Sequence, residues 1–299
     1  MEWFMFALFA PVVFAGVDLI DKYILTNHVA NPFSYKLFSV LLEVPIPFLL
    51  LALTPVWFSF PWSVLSMLVG FIFSLSSILY LKAMGVEEAS RVIALLFISP
   101  IFVLPLAFIF LGETLSLPKY LGAGLLVLSA VLVSYRRTKR KTSSLISPAL
   151  GFMLILALIG AGGDVLAKHI LGFFGYWQFL FWSLIGGLFG GFLIFCFPKV
   201  RQNFLGNFRI ISKCVFFWLG ISTFLGYIGL ISYYIAVSLE SISLVAAVPS
   251  IEPFFVLLLT VLLSSLAHGT LKEEVDKQAI TLKMSAFVLI ILGAWLIAG

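Results

Sequence analysis

Residues 15–25 read AGVDLIDKYIL and residues 161–171 read AGGDVLAKHIL. Ala15, Gly16, Asp18, Lys22, Ile24 and Leu25 recur in the same register as Ala161, Gly162, Asp164, Lys168, Ile170 and Leu171. A second pair of segments follows in the same order. Residues 80–103, YLKAMGVEEASRVIALLFISPIFV, match 233–256, YYIAVSLESISLVAAVPSIEPFFV, so that Tyr80 pairs with Tyr233, Glu87 with Glu240, Ser90 with Ser243, Pro100 with Pro253 and Val103 with Val256. Two matches in one order make the second half of the chain a repeat of the first.

The repeat sits in a sequence that is 62% hydrophobic and 10% charged over 299 residues, against about 45–50% and 25% for a soluble domain. The charges cluster between apolar runs of about 20 residues, the length that crosses a hydrocarbon core. That composition excludes a soluble enzyme, and the two-residue alternation of an outer-membrane barrel is absent. Hydropathy and loop punctuation predict an all-α integral membrane protein with ten transmembrane helices at 3–24, 33–53, 63–83, 90–111, 118–135, 149–170, 176–197, 214–236, 242–265 and 280–298. The chain then divides into a first five-helix repeat (1–135), a basic cytoplasmic linker (136–148) and a second five-helix repeat (149–299). Five is odd, so the second unit enters the membrane from the opposite side. Two inverted repeats around a central cavity can open one site to either side in turn, which points to a secondary transporter.

Orientation follows from Lys and Arg. With the N-terminus outside, the inner loops and adjoining span ends hold all of these residues except Lys119 and Lys168. Both termini are therefore expected outside, in the cell membrane. Trp3, Trp57, Trp62, Trp177 and Trp295 then share the outer interface, where indoles are favoured. The pI near 9.2 reflects these topology anchors, including Arg136 to Lys141, and no nucleic-acid partner is expected. Cys196 and Cys214 lack metal-ligand spacing and read as free buried thiols. No metal or other cofactor is expected. Trp3 follows the start with no basic n-region, which argues against a cleaved signal peptide.

The duplicated five-span unit resembles the drug/metabolite transporter superfamily in its EamA-type branch. Ser-Pro or Glu-Pro in the fourth span of each unit and the run LGETLSLPKYLGAGLLVLSAVLVS at 111–134 carry the resemblance, with Gly112-Glu113 and Gly122 its most specific pieces. The resemblance implies a cavity lined mainly by spans three, four, eight and nine, and substrates among amino acids, other metabolites, nucleotide sugars or toxic cations. Two features depart from it. Ser265-Leu266 stand where Gly112-Glu113 would recur, followed by a charged stretch from His268 to Gln278. Many members also place the N-terminus inside.

Charges inside spans mark candidate sites, since an ionisable group at the bilayer centre costs roughly 2.5–3.5 kcal/mol or more. Glu252 precedes Pro253 in span nine, and its counterpart is Ser99 before Pro100. Glu252 and Ser99 are candidates for a substrate or proton site, and the alternative for Glu252 is a buried hydrogen bond. Glu43, mid-span in span two and beside Pro45 and Pro47, is a second candidate carboxyl. Tyr80 and Tyr233 are duplicated hydroxyls that either bind substrate or sit at opposite interfaces; Tyr227 and Trp218 are further cavity candidates. Asp18 and Asp164 each have a lysine four residues on, Lys22 and Lys168, at ion-pair spacing. The functional alternative is a pair of gates, with Asp18 meeting Arg91 and Asp164 and Lys168 at the other end, although Leu244 replaces Arg91 in the second unit. The glycine runs at 160–163 and 186–191 read as helix-packing surfaces.

The expected activity is alternating-access transport of a small polar or amphipathic metabolite, such as an amino acid or amine, with protons as a candidate coupling ion. The alternative is a lipid-headgroup or polyprenyl-phosphate flippase, for which Lys82 and Arg91 are the available basic residues. An enzyme is not expected: His28, His169 and His268 are scattered and no HExxH is present. The partners foreseen are a small-molecule substrate and the bilayer, with the chain a monomer or homodimer.

Overall fold

The computed structural model describes residues 2–86, 92, 95–96, 99–134, 148–266, 285, 288–289, 291–293 and 295–296. Every described regular element is helical. The first half holds α1 (Glu2–Asn27), α2 (Pro32–Glu43), α3 (Pro45–Leu53), α4 (Trp62–Val86), α5 (Ser99–Leu111) and α6 (Leu117–Ser134). The second holds α7 (Pro148–Leu171), α8 (Tyr176–Cys196), α9 (Pro198–Ile210), α10 (Lys213–Leu239), α11 (Ile242–Val245), a 3-10 turn (Val248–Ile251) and α12 (Glu252–Leu266). Seven helical segments among the described residues are long and apolar enough to cross a membrane, and Ser99–Leu111 and Leu117–Ser129 are shorter apolar helices. The expected span at 280–298 falls mostly outside the described residues, as do 135–147 and 267–284.

Local chemistry sets the breaks. Asn31 caps α2, its Oδ1 accepting from the amides of Phe33 and Ser34 at 3.0 and 3.1 Å, with Pro32 in the first turn. Pro45 has no amide hydrogen to continue the ladder, so the second span is divided at Val44 into α2 and α3. In the ninth span, Pro249 and Pro253 divide the chain into α11, the 3-10 turn and α12. Irregular backbone at membrane depth is tolerated where protein or a cavity covers it, and Ala246, Pro249 and Glu252 border the central cavity described below.

The two halves pack by exchange. α1 lies along α10 of the other half, and the matched α7 lies along α4. α4 also crosses α8 at backbone distance: a Cβ on Gly70 would fall 1.8 Å from the Ser183 carbonyl oxygen, and one on Gly186 would fall 1.9 Å from that of Met67. Glycine is required at both positions because no side chain fits between the two backbones. Large apolar side chains such as Phe108, Phe110, Phe192, Phe217 and Phe224 point outwards, as a lipid-facing surface demands.

Two expectations need correction. The segment after the seventh span, read as a loop, is the helix α9. Its sequence PKVRQNFLGNFRI places Val200 and Phe204 against the core, while Lys199, Arg201 and Arg209 are exposed. Thirteen residues with that polarity suit the membrane interface and not a crossing, and the Phe204 ring packs 4.9 Å from that of Phe38. Cys196 and Cys214, which flank this helix, are free but exposed, not buried. Both stand at the ends of elements whose packed faces are filled by Ile194 and Val215 instead.

Candidate functional site

The matched aspartates make matched bonds. In the first half the Tyr80 hydroxyl donates to Asp18 Oδ1 at 2.5 Å, and Lys22 Nζ donates to the Met84 carbonyl at 2.7 Å. In the second half the Tyr233 hydroxyl donates to Asp164 Oδ2 at 3.0 Å, and Lys168 Nζ donates to the Val237 carbonyl at 2.7 Å. Met84 and Val237 each lie four residues beyond the matched tyrosine. The lysines therefore hold the C-terminal turns of α4 and α10, where unpaired carbonyls favour a cation; Lys168 also reaches the Glu240 carbonyl at 2.7 Å. Neither lysine forms an ion pair with the aspartate one turn before it, since among the described residues the ion pair is Lys36 with Glu43. Helix ends offer carbonyls that the i,i+4 spacing alone does not reveal.

The tyrosines thus act inside the bundle. Asp18 is 6% exposed and Glu252 is 4% exposed. Their carboxyls lie next to one another, and among the described residues Asp18 Oδ2 has no hydrogen-bond partner. Two buried carboxylates side by side repel one another unless one of them carries a proton. Next to them lies Asp21, which sequence reasoning passed over. Its Oδ1 accepts from the hydroxyls of Tyr35 and Ser222, each at 2.5 Å. Its signal was available: a third ionisable residue in the Asp18–Lys22 turn, on the same helix face as Leu25 and not of Lys22.

Between the halves is a cavity of about 450 Å³. Glu252, Ser99, Tyr80, Tyr233 and Asp164 all border it, together with Glu43, Tyr227 and Lys36. The structure so brings together most of the candidates named from sequence. Asp18 lies behind Glu252 and Tyr80 and does not itself border the cavity, Lys168 is occupied at the end of α10, and Arg91 lies outside the described residues. Ser99 Oγ donates to the Ala157 carbonyl at 3.4 Å, which ties α5 to α7. Glu43 sits on the helix before the Pro45 break and pairs with Lys36 at 3.3 Å, both side chains being 11% exposed. Tyr227 lies beside the same carboxyl. Trp218 is exposed and does not border the cavity. Lys82 is also elsewhere, over the rings of Phe33 and Phe152 at 5.3 and 5.9 Å.

The Gly112-Glu113 pair ties the end of α5 to the other half of the chain. Gly112 has φ +66°, the left-handed conformation that ends a helix at little cost only for glycine. The Glu113 amide returns to the Ala107 carbonyl at 3.2 Å. This turn directs the carboxylate onto the start of α11 in the other half, where it accepts from the Ile242 and Ser243 amides at 3.0 Å each and from Ser243 Oγ at 2.7 Å. Those amides have no partner within their own helix.

Among known proteins, the model of the EamA-like transporter family matches residues 1–135. No curated protein sequence matches the chain. A protein solved by crystallography aligns with 98% of this chain and 94% of its own, with a TM-score of 0.65 and 15% identity. That likeness establishes a shared fold over almost the whole length.

Proposed function

With the match over residues 1–135 placing the chain in the drug/metabolite transporter superfamily as premise, we propose that it is a secondary transporter for a small polar or amphipathic metabolite. The observation that carries this reading is the cavity of about 450 Å³ between the halves, bordered at membrane depth by the carboxyls of Glu43, Asp164 and Glu252. Ionisable groups so placed mark substrate and ion pathways. The recurrence of the Asp–Tyr and Lys–carbonyl bonds supports two inverted five-helix repeats, ten helices in all, that exchange conformations around this cavity. The Asp18–Glu252 pair is the proton carrier: it holds one proton at the cavity wall and releases it when the wall is hydrated from the other side. A phosphate-bearing lipid fits less well, because the one cation among the described lining residues, Lys36, is engaged by Glu43.

Proteoliposomes with an imposed pH gradient test this. Glu252→Gln keeps the shape, and gradient-driven uptake should fall to background at normal expression, while Glu43→Gln should lose less. Wild-type driven uptake in Glu252→Gln would overturn the proton role. Loss confined to Glu43→Gln would move coupling to the Lys36–Glu43 pair. The charge count supports both termini lying outside the cell membrane, and on that reading a tag after Gly299 should be reached by antibody in intact cells.

A further inference from the structure

The charges around the cavity do not balance. Of its described carboxyls, Glu43 is paired with Lys36, and Glu252 faces a second carboxyl, Asp18, that lies behind the cavity wall. Asp164 remains. Its Oδ2 accepts from Tyr233 at 3.0 Å, and among the described residues Oδ1 has no hydrogen bond. The obvious cation, Lys168, is one turn away and spent on the carbonyls of Val237 and Glu240.

The surroundings of Asp164 are aromatic. Tyr233 and Tyr234 border the cavity, edge to face with each other at 5.4 Å, and Phe73 borders it too. The tip of the Phe73 ring lies 2.7 Å from where a Cβ would stand on Gly163, so the absent side chain beside Asp164 is what admits the ring. A separate observation points to a ligand. Ser74 borders the same cavity, is 5% exposed, and among the described residues its hydroxyl has no hydrogen-bond partner. A buried hydroxyl left unpaired is costly unless something entering the cavity bonds to it.

We propose that Asp164, walled by Tyr233, Tyr234 and Phe73, receives the ammonium group of an organic cation, and that Ser74 bonds a polar group on its body. The substrate class is a small primary or secondary amine with an apolar part. The carboxylate supplies the missing counter-charge and an acceptor for an N–H, and the ring faces favour a cation over a neutral or anionic head. An anionic substrate would instead meet three carboxyls around one engaged lysine. The two halves have then divided the labour. The Asp18 side, with Glu252, keeps a proton; the Asp164 side, with Ser99 in the matched place, keeps an open carboxylate for substrate. This assignment rests on the transporter reading and names what its cavity takes.

The test uses the full chain in detergent at pH 7 and three probes that share one body: phenethylammonium, phenethyl alcohol and 3-phenylpropionate. Phenethylammonium should raise the melting temperature and bind at least about tenfold more tightly than the other two. Asp164→Asn should weaken its binding by about tenfold or more and leave phenethyl alcohol unchanged. Equal or tighter binding of the neutral or anionic probe overturns the proposal, as does no binding of the ammonium probe. The probe series on the unaltered chain decides even if Asp164→Asn fails to fold. Counterflow in proteoliposomes separates the two readings. Movement of the neutral or anionic probe keeps the transporter and removes the amine; amine binding without movement keeps the site and removes the transporter.

Discussion

Asp18 and Asp164 occupy matched positions and each accepts a matched tyrosine hydroxyl, yet they live in different company. Asp18 is closed off behind Glu252 and Tyr80, with Asp21 and its hydroxyl partners one turn away. Asp164 borders the cavity and has Ser99, not a carboxyl, in the place matched to Glu252. A duplicated framework has kept its structural bonds and diverged where the cavity begins. The helix crossings diverge too. α4 and α8 touch backbone to backbone through Gly70 and Gly186. In α10 the position matched to Gly70 is Thr223, Gly220 and Gly226 have open space at the Cβ position, and Gly229 faces the Phe14 ring of α1. The structure is thus tight at one of its two related crossings.

The crossings offer the largest effect. Gly186→Ala puts a Cβ onto the Met67 carbonyl, where backbone and not a flexible side-chain end must yield. It should cost stability at the upper end of the roughly 1–3 kcal/mol typical of overpacking, read as a lower melting temperature. Gly226→Ala enters open space and should be neutral or gain up to about 1 kcal/mol from helix propensity. Equal losses would break the asymmetry.

Glu113 comes next. Glu113→Ala leaves two amides of α11 without acceptors, for a loss of about 2 kcal/mol. Glu113→Gln retains an oxygen and should lose about half of that. A silent Glu113→Ala would show that the tie between the halves does not stabilise this state.

Gly112-Glu113 also shows what could be read from sequence. The pair was legible as a signature because its parts are local: a glycine that stops a helix and a carboxylate next to it. Its target, the start of α11 in the other half, is not local. The duplication was equally legible, because matched residues persist in order, and it carried the polar candidates with it. Glu252, Ser99, Tyr80 and Tyr233 could be named without knowing that they border one cavity. What stayed hidden depended on contacts distant in sequence. Lys22 and Lys168 are spaced for ion pairs but find helix ends; Asp21 owes its importance to Tyr35 and Ser222. α9 was missed because a thirteen-residue amphipathic helix is too short and polar for a hydropathy window tuned to full crossings.

The smallest effect is the most discriminating between the two aspartates. Tyr80→Phe and Tyr233→Phe each delete one hydroxyl and leave the ring. The Asp18 oxygen that Tyr80 serves lies in a residue 6% exposed, so no water can readily replace the lost donor, and the cost should be about 1–2 kcal/mol. Asp164 is half-buried on the cavity wall, where water or substrate can take the place of the Tyr233 hydroxyl, and the cost should stay below about 1 kcal/mol. Melting temperatures of the purified variants give the difference. Adding the ammonium probe should narrow it no further for Tyr80→Phe, but should recover part of the loss in Tyr233→Phe, since the probe supplies a donor to Asp164 alone. Equal losses without probe would mean that both aspartates are equally dry, and the division between a proton half and a substrate half would then lack its physical basis.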